Sequence, residues 1–175
     1  MHYNKNKGHS QYDKRQETFD TLALPRFSPD TFSIEGVSHA IIRGRFVKAA
    51  TDTAKGLVIL NHGITSDRWD MARFVPMYRA AGFHTVLYDL RNHGFSTGDF
   101  SSYGYYEKQD LAKLFVFWKQ HYPDLPFGLH GVSMGAATVL QSLPLIGHDW
   151  RIAFAVADCP YSSLQGQLRH RMRQD

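Results

Sequence analysis

Four short runs of almost unbroken apolar residues, at 56–60, 83–88, 126–130 and 152–157, limit this chain to few architectures. Runs this short and this apolar suit strands buried on both faces, and the stretches between them carry helical spacing. Met71, Phe74, Val75 and Tyr78 fall at i, i+3, i+4 and i+7, with Gly82 placed to stop the helix. Leu111, Leu114, Phe115 and Trp118 repeat the spacing. Ala136, Ala137, Val139 and Leu140 offer a small-residue face that can lie close on a sheet, ending near Pro144 or Gly147. Strand alternating with helix predicts an α/β fold: a mostly parallel sheet with helices on both faces.

Upstream the pattern differs. Residues 31–47 are rich in β-formers, with Gly36 and Gly44 as interruptions, and predict two antiparallel strands joined by a short turn. Residues 51–56 read as a further turn. Residues 1–30 show little apolar periodicity and are expected to be flexible or irregular, leaving 31–175 as one partial domain. A chain of 175 residues suffices for one core and not comfortably for two. The net charge of +4 comes from 20 basic residues scattered among 16 acidic ones, so no nucleic-acid partner is expected. Arg169, His170, Arg171 and Arg173 form the one dense basic patch, and it reads as a solvated helix face. Cys159 is the single cysteine, which excludes an internal disulfide. No signal-peptide core and no run of about eighteen apolar residues occurs, giving the expectation of a soluble, cytoplasmic protein without a membrane span.

In sheets of this kind, chemistry gathers at the carboxyl ends of the strands. After the third run stands Gly131-Val132-Ser133-Met134-Gly135, a G-x-S-x-G between a strand and a helix. A serine on so sharp a turn needs small neighbours, which Gly131 and Gly135 provide, and would hold its hydroxyl at a helix N-terminus as a nucleophile. Acyl transfer also requires two N–H donors for the oxyanion. The amide of Met134 supplies one, and the amide of Ile64, after His62-Gly63, supplies the other. His62 is expected to orient that loop rather than to serve as the base. Histidines 84, 121, 130 and 148 form no metal-ligand pattern, so no metal and no cofactor is expected. Tyr103, Tyr105 and Tyr106 are expected to begin the second helix and pack beside the sheet.

The segments LVILNHGITSDRWDM, TVLYDLRNHGFSTG and LHGVSMGAATVL together resemble the α/β-hydrolase superfamily, and in particular its serine aminopeptidase-like and monoacylglycerol-lipase-like branch. The resemblance covers the chain from about Gly56 to Ala157. It implies that Asp89-Leu90-Arg91-Asn92-His93-Gly94-Phe95-Ser96 matches the superfamily's D-x-R-x-H-G-x-S loop, which braces the active-site floor. It also implies a triad in the order Ser, acid, His, the last two on loops after later strands. Beyond Ser133 the histidines are His148 and His170, neither in the family's setting, and Asp158 is a weak candidate for the acid. Its expected role is instead to cap the turn at Tyr161-Ser162-Ser163. Leu164, Leu168 and Met172 have helical spacing without a stop signal, so the domain is expected to be truncated after the strand that follows the nucleophile. The expectation is a serine hydrolase acting on a small ester, lipid or peptide substrate, with little activity in this chain because its acid and histidine are missing. The alternative is a non-catalytic interaction protein retaining the hydrolase front half and self-associating through an open sheet edge.

Overall fold

Leu57, Val58, Ile59 and Leu60 are wholly buried on both faces, and such a strand can only lie at the middle of a covered sheet. The computed structural model describes residues 30–147, 152–163, 165, 166 and 169. In chain order these residues form β1 (Asp30–Glu35), β2 (Ile41–Val47), β3 (Gly56–Asn61), α1 (Arg68–Met71), α2 (Val75–Ala80), β4 (Phe83–Tyr88), α3 (Glu107–His121), β5 (Phe127–Val132), α4 (Met134–Ile146) and β6 (Ile152–Asp158). The sheet order is β1-β2-β4-β3-β5-β6. β1 and β2 pair antiparallel, as does β2 with β4, while β3, β4, β5 and β6 run parallel.

The two faces of β3 serve two cores. Leu57 and Ile59 meet α3 and α4 through Leu114, Phe115 and Val139, whereas Val58 and Leu60 meet the α1–α2 side through Trp69, Val75 and Tyr78. Each such side chain, fully buried, contributes roughly 1.5–3 kcal/mol. The sheet edge at β6 is different: Val156 is 39% exposed, and Ala153 and Ala155 are open to solvent. Phe154 does find ring partners, Tyr78 at 6.3 Å and Phe83 at 5.9 Å.

Several local expectations need correction. Gly44 does not interrupt a strand but lies inside β2, where a Cβ would overlap the Leu87 carbonyl and the Phe32 ring. The helix through Met71 and Tyr78 is broken by a 3-10 turn at Ala72–Phe74, because Pro76, with no N–H to bond back, sits in the first turn of α2. Tyr103 and Tyr105 precede α3 rather than start it: Tyr103 (φ 53°) and Gly104 (φ 106°) form a left-handed turn, and Tyr105 is 60% exposed. Pro144 lies within α4, and Gly147 (φ 82°) ends that helix. Residues 1–29, His148, and most of the stretch carrying Leu164, Leu168, Met172 and the terminal arginines lie outside the described residues. Among the described residues, no helix is long and apolar enough to cross a membrane.

Candidate active site

Ser133 joins β5 to α4 with φ 55° and ψ −116°, a left-handed conformation that a side-chain-bearing residue keeps only where its surroundings enforce it. Its own amide donates to the Asp158 carbonyl at 2.8 Å, and its carbonyl accepts the Ala137 amide at 3.0 Å. The corner is tight because both flanking glycines touch backbone. A Cβ on Gly131 would overlap the Gly135 carbonyl, and one on Gly135 would overlap the carbonyls of Asn61 and His62. Thus the first turn of α4 rests directly on the end of β3.

The loop after β3 reaches the serine from the other side. A Cβ on Gly63 would lie 3.4 Å from the Ser133 Cβ and 3.9 Å from its Oγ, so Gly63 is against the serine side chain. Ile64 follows in a turn, half-buried. Met134 is the first residue of α4, a position whose N–H has no acceptor within the helix. His62, behind the loop, is fully buried. The Leu90 amide donates to its Nε2 at 2.9 Å, which leaves the proton on Nδ1 to be donated to the Gly63 carbonyl at 2.7 Å. Burial holds this imidazole well below its usual pKa, and the neighbouring His93 and Arg68 act in the same direction against the Gly63 carbonyl. Both ring nitrogens of His62 are therefore engaged in holding the loop.

The D-x-R-x-H-G-x-S segment ties three elements together. Asp89 accepts from the amides of Arg68 and Phe95, both at 2.9 Å, and its carboxylate stands 3.4 Å from the Arg68 guanidinium. Gly94 (φ 48°) backs directly onto that carboxylate, leaving no room for a Cβ. Arg91 grips Asp110 of α3 with two hydrogen bonds, 2.6 and 2.8 Å, and reaches the Val37 carbonyl at 3.0 Å. Burial raises the Asp110 carboxyl pKa, opposed by the bonds from Arg91 and the Val37 amide. His93 gives its Nδ1 proton to the Arg91 carbonyl at 2.8 Å, and its ring meets His62 edge-on at 5.1 Å.

Asp158 departs from the role read in sequence. Its carbonyl is the acceptor for the Ser133 amide, and its carboxylate, next to Cys159, raises the thiol pKa; no hydrogen bond from that carboxylate to the turn at 161–163 is found among the described residues. Among the described residues the remaining histidines are engaged elsewhere: His39 bonds the Glu35 carboxylate, His84 accepts the Ala49 amide, His121 bonds the Phe117 carbonyl, and His130 meets the Tyr78 hydroxyl on the α1–α2 face. Sequence reasoning missed Glu107, a fully buried carboxylate that accepts from the Ser102 amide and hydroxyl and from the Gly104 amide. Its place in the first turn of α3, where a carboxylate favours the helix N-terminus, was the available signal. Also missed was the Tyr161 hydroxyl, which donates to the Tyr103 carbonyl at 2.8 Å.

Comparison with known proteins follows the same lines. The family model for serine aminopeptidase, S33, matches residues 52–170. The chain is 36% identical over 134 residues to the uncharacterized protein YqkD of Bacillus subtilis, covering 75% of this chain and 43% of that protein. Among solved structures, an esterase of Pyrococcus furiosus superposes with a TM-score of 0.75 at 26% identity, covering 85% of this chain and 56% of that one. A thermostable carboxyl esterase of Bacillus coagulans shares the fold at a TM-score of 0.63 and 20% identity, over 73% of this chain and 43% of that one. The chain thus spans about half the length of these relatives. With its six-stranded mixed sheet, strand-to-helix serine and glycine-lined loop after β3, it belongs to the serine aminopeptidase S33 family of α/β-hydrolases.

Proposed function

We propose that this chain carries the nucleophile and oxyanion half of a serine hydrolase that cleaves small ester, lipid or peptide substrates through an acyl-enzyme. What supports this reading above all is Ser133 kept left-handed at the β5–α4 corner with Gly63 against its side chain. In the proposed chemistry Ser133 Oγ attacks the substrate carbonyl carbon, its proton passes to a base, and the carbonyl oxygen becomes an oxyanion. The amides of Ile64 and Met134 take up that charge, each donor of this type being worth roughly 10²–10³ in rate. Collapse of the intermediate expels the alcohol or amine with a proton and leaves Ser133 acylated, and water then releases the acid. His62 orients the oxyanion loop, and Gly131 and Gly135 admit the close backbone packing. No metal or cofactor has a part in this scheme.

In this scheme no positioned base is found among the described residues. Among those residues both nitrogens of His62 are already committed, and His130 lies on the opposite face of the sheet with Tyr78. Asp158, exposed at the end of β6, is a weak candidate for the acid. Without a positioned base a serine hydroxyl reacts slower by several orders of magnitude. Long incubation with a fluorophosphonate is therefore expected to label this chain slowly, at Ser133 alone, with labelling lost in Ser133→Ala. Labelling that persists in Ser133→Ala overturns the assignment of the nucleophile, and labelling as fast as in a complete serine hydrolase overturns the placing of the base.

A second reading, a non-catalytic interaction protein, is favoured by one observation: among the described residues β6 is an edge strand, with Val156 exposed. Concentration-dependent association in sedimentation, with no Ser133-dependent labelling, would favour that reading over the hydrolase.

A further inference from the structure

Three non-glycine residues with left-handed backbone, Tyr103 (φ 53°), Ser133 (φ 55°) and Cys159 (φ 52°), are linked by two hydrogen bonds. One runs from the Ser133 amide to the carbonyl of Asp158, the residue before Cys159. The other runs from the hydroxyl of Tyr161, two residues after Cys159, to the Tyr103 carbonyl. Left-handed residues of this kind persist only where contacts over-determine them, and here the contacts are visible. The Glu107 carboxylate takes the amides on both sides of Tyr103, those of Ser102 and Gly104, each at 2.8 Å, and the Ser102 hydroxyl besides. Gly104 backs onto Gln141 of α4, where a Cβ would come within 2.7 Å of the amide nitrogen. The turn is thereby fixed with its central carbonyl presented to Tyr161.

The sheet order gives this bridge its meaning. Tyr103 belongs to the loop after β4 and Tyr161 to the turn after β6, and between β4 and β6 lie β3 and β5. Those two intervening strands lead into the loop that carries Gly63 and Ile64 and into Ser133. Three strand spacings separate β4 from β6, about 14 Å. The bridge therefore crosses the ends of the strands that carry the candidate site, on the side of α3 and α4, where Ile64, Tyr103 and Tyr161 all pack, half-buried, on the core that holds Met134. Its one polar function is already used, since the hydroxyl is bonded and its pKa is pushed up to about 12 by burial.

Resting on the hydrolase reading, we infer that the Tyr103–Tyr161 bridge is a side wall of the acyl site and that Tyr161 is a specificity-determining residue, restricting Ser133 to compact apolar acyl groups. The wall is apolar because Tyr103 and Tyr161 pack on the core that holds Met134, and the bridge fixes its position.

The test uses the full chain and three fluorophosphonates carrying a methyl, butyl or octyl group on phosphorus. In each, a bond forms between Ser133 Oγ and phosphorus, fluoride leaves, and the hydroxyl proton passes to solvent. The parent chain should label fastest with methyl and slowest with octyl. Tyr161→Ala should raise the octyl-to-methyl rate ratio about tenfold, as expected for opening one side of a pocket. Tyr161→Phe keeps the ring and its packing and removes only the bridge, so it should raise the octyl-to-methyl ratio by a smaller factor than Tyr161→Ala does. This variant keeps the comparison decisive even if Tyr161→Ala is poorly folded. Ser133-dependent labelling with a ratio unchanged in Tyr161→Phe overturns this inference and leaves the nucleophile reading standing. Absence of Ser133-dependent labelling with every probe overturns both.

Discussion

Gly135 and Asn61 are in backbone contact: the first turn of α4 lies so close to the end of β3 that a Cβ at 135 would occupy the space of the Asn61 carbonyl oxygen. Asn61 is held in place, because its side-chain amide Nδ2 donates to the His130 carbonyl at 3.2 Å and the residue is fully buried. Gly135→Ala is therefore expected to destabilise the chain by about 1–3 kcal/mol, the usual range for overpacking. Urea denaturation followed by circular dichroism measures it. A midpoint equal to that of the parent would show that the corner relaxes freely and that the glycine is not required by packing.

The Arg91–Asp110 pair predicts a larger effect. Both side chains are buried, and the pair joins the loop after β4 to α3 through two short hydrogen bonds. Removing the carboxylate in Asp110→Ala leaves a guanidinium buried without its partner and should cost about 3–5 kcal/mol. Asp110→Asn keeps an acceptor for the Val37 amide and should cost less. The order of the two variants in thermal unfolding is the check, and equal losses would argue against a charge-specific role.

Ser133 predicts a gain. Its left-handed backbone is unfavourable for any residue with a Cβ, so Ser133→Gly should stabilise the fold by about 1 kcal/mol. The same variant should show no fluorophosphonate labelling. Equilibrium unfolding of the parent, Ser133→Ala and Ser133→Gly separates loss of the hydroxyl from release of the backbone, and a destabilised glycine variant would contradict a strained corner.

His62 predicts a pH dependence with a definite sign. Its folded-state pKa is held below 6.5, so in acid the unfolded chain binds a proton that the native chain excludes. The stability it contributes is complete above about pH 6.5 and is lost as pH falls from there toward the folded value, by up to about 1.4 kcal/mol per pH unit. His62→Gln retains an acceptor near the Leu90 amide and cannot titrate. It should be less stable than the parent at pH 7.5 and show a shallower fall between pH 6.5 and 5. Parallel curves for the two proteins would mean that His62 protonates without penalty.

Strands and helices were legible because the sheet is covered on both faces, so burial writes itself into the sequence as apolar runs. The strand at Phe83–Tyr88 is found where the pattern puts it, and the others differ by a residue or two at their ends. The misreadings have local causes. Gly44 looked like a break because a strand glycine and a turn glycine are identical in one dimension, and only the Phe32 ring across the pair explains it. Pro76 fits the helical spacing of its neighbours while denying the bond that a continuous helix needs. At the candidate site, Ser133 and Gly63 could be found because tight corners demand glycines at fixed offsets. The Tyr161 hydroxyl on the Tyr103 carbonyl could not, since 58 residues separate the two and no local pattern marks either.

The bond between the Ser133 amide and the Asp158 carbonyl has a consequence for synthesis. During translation β5 and α4 leave the ribosome before β6, so the serine corner is made before the strand that fixes its amide. Until Asp158 pairs into the sheet, the corner has its glycines but not its anchor. Closure of the Ser133 corner is thus vectorial: its amide is held by a carbonyl synthesised 25 positions later, so a nascent chain cannot lock this corner ahead of its own sheet.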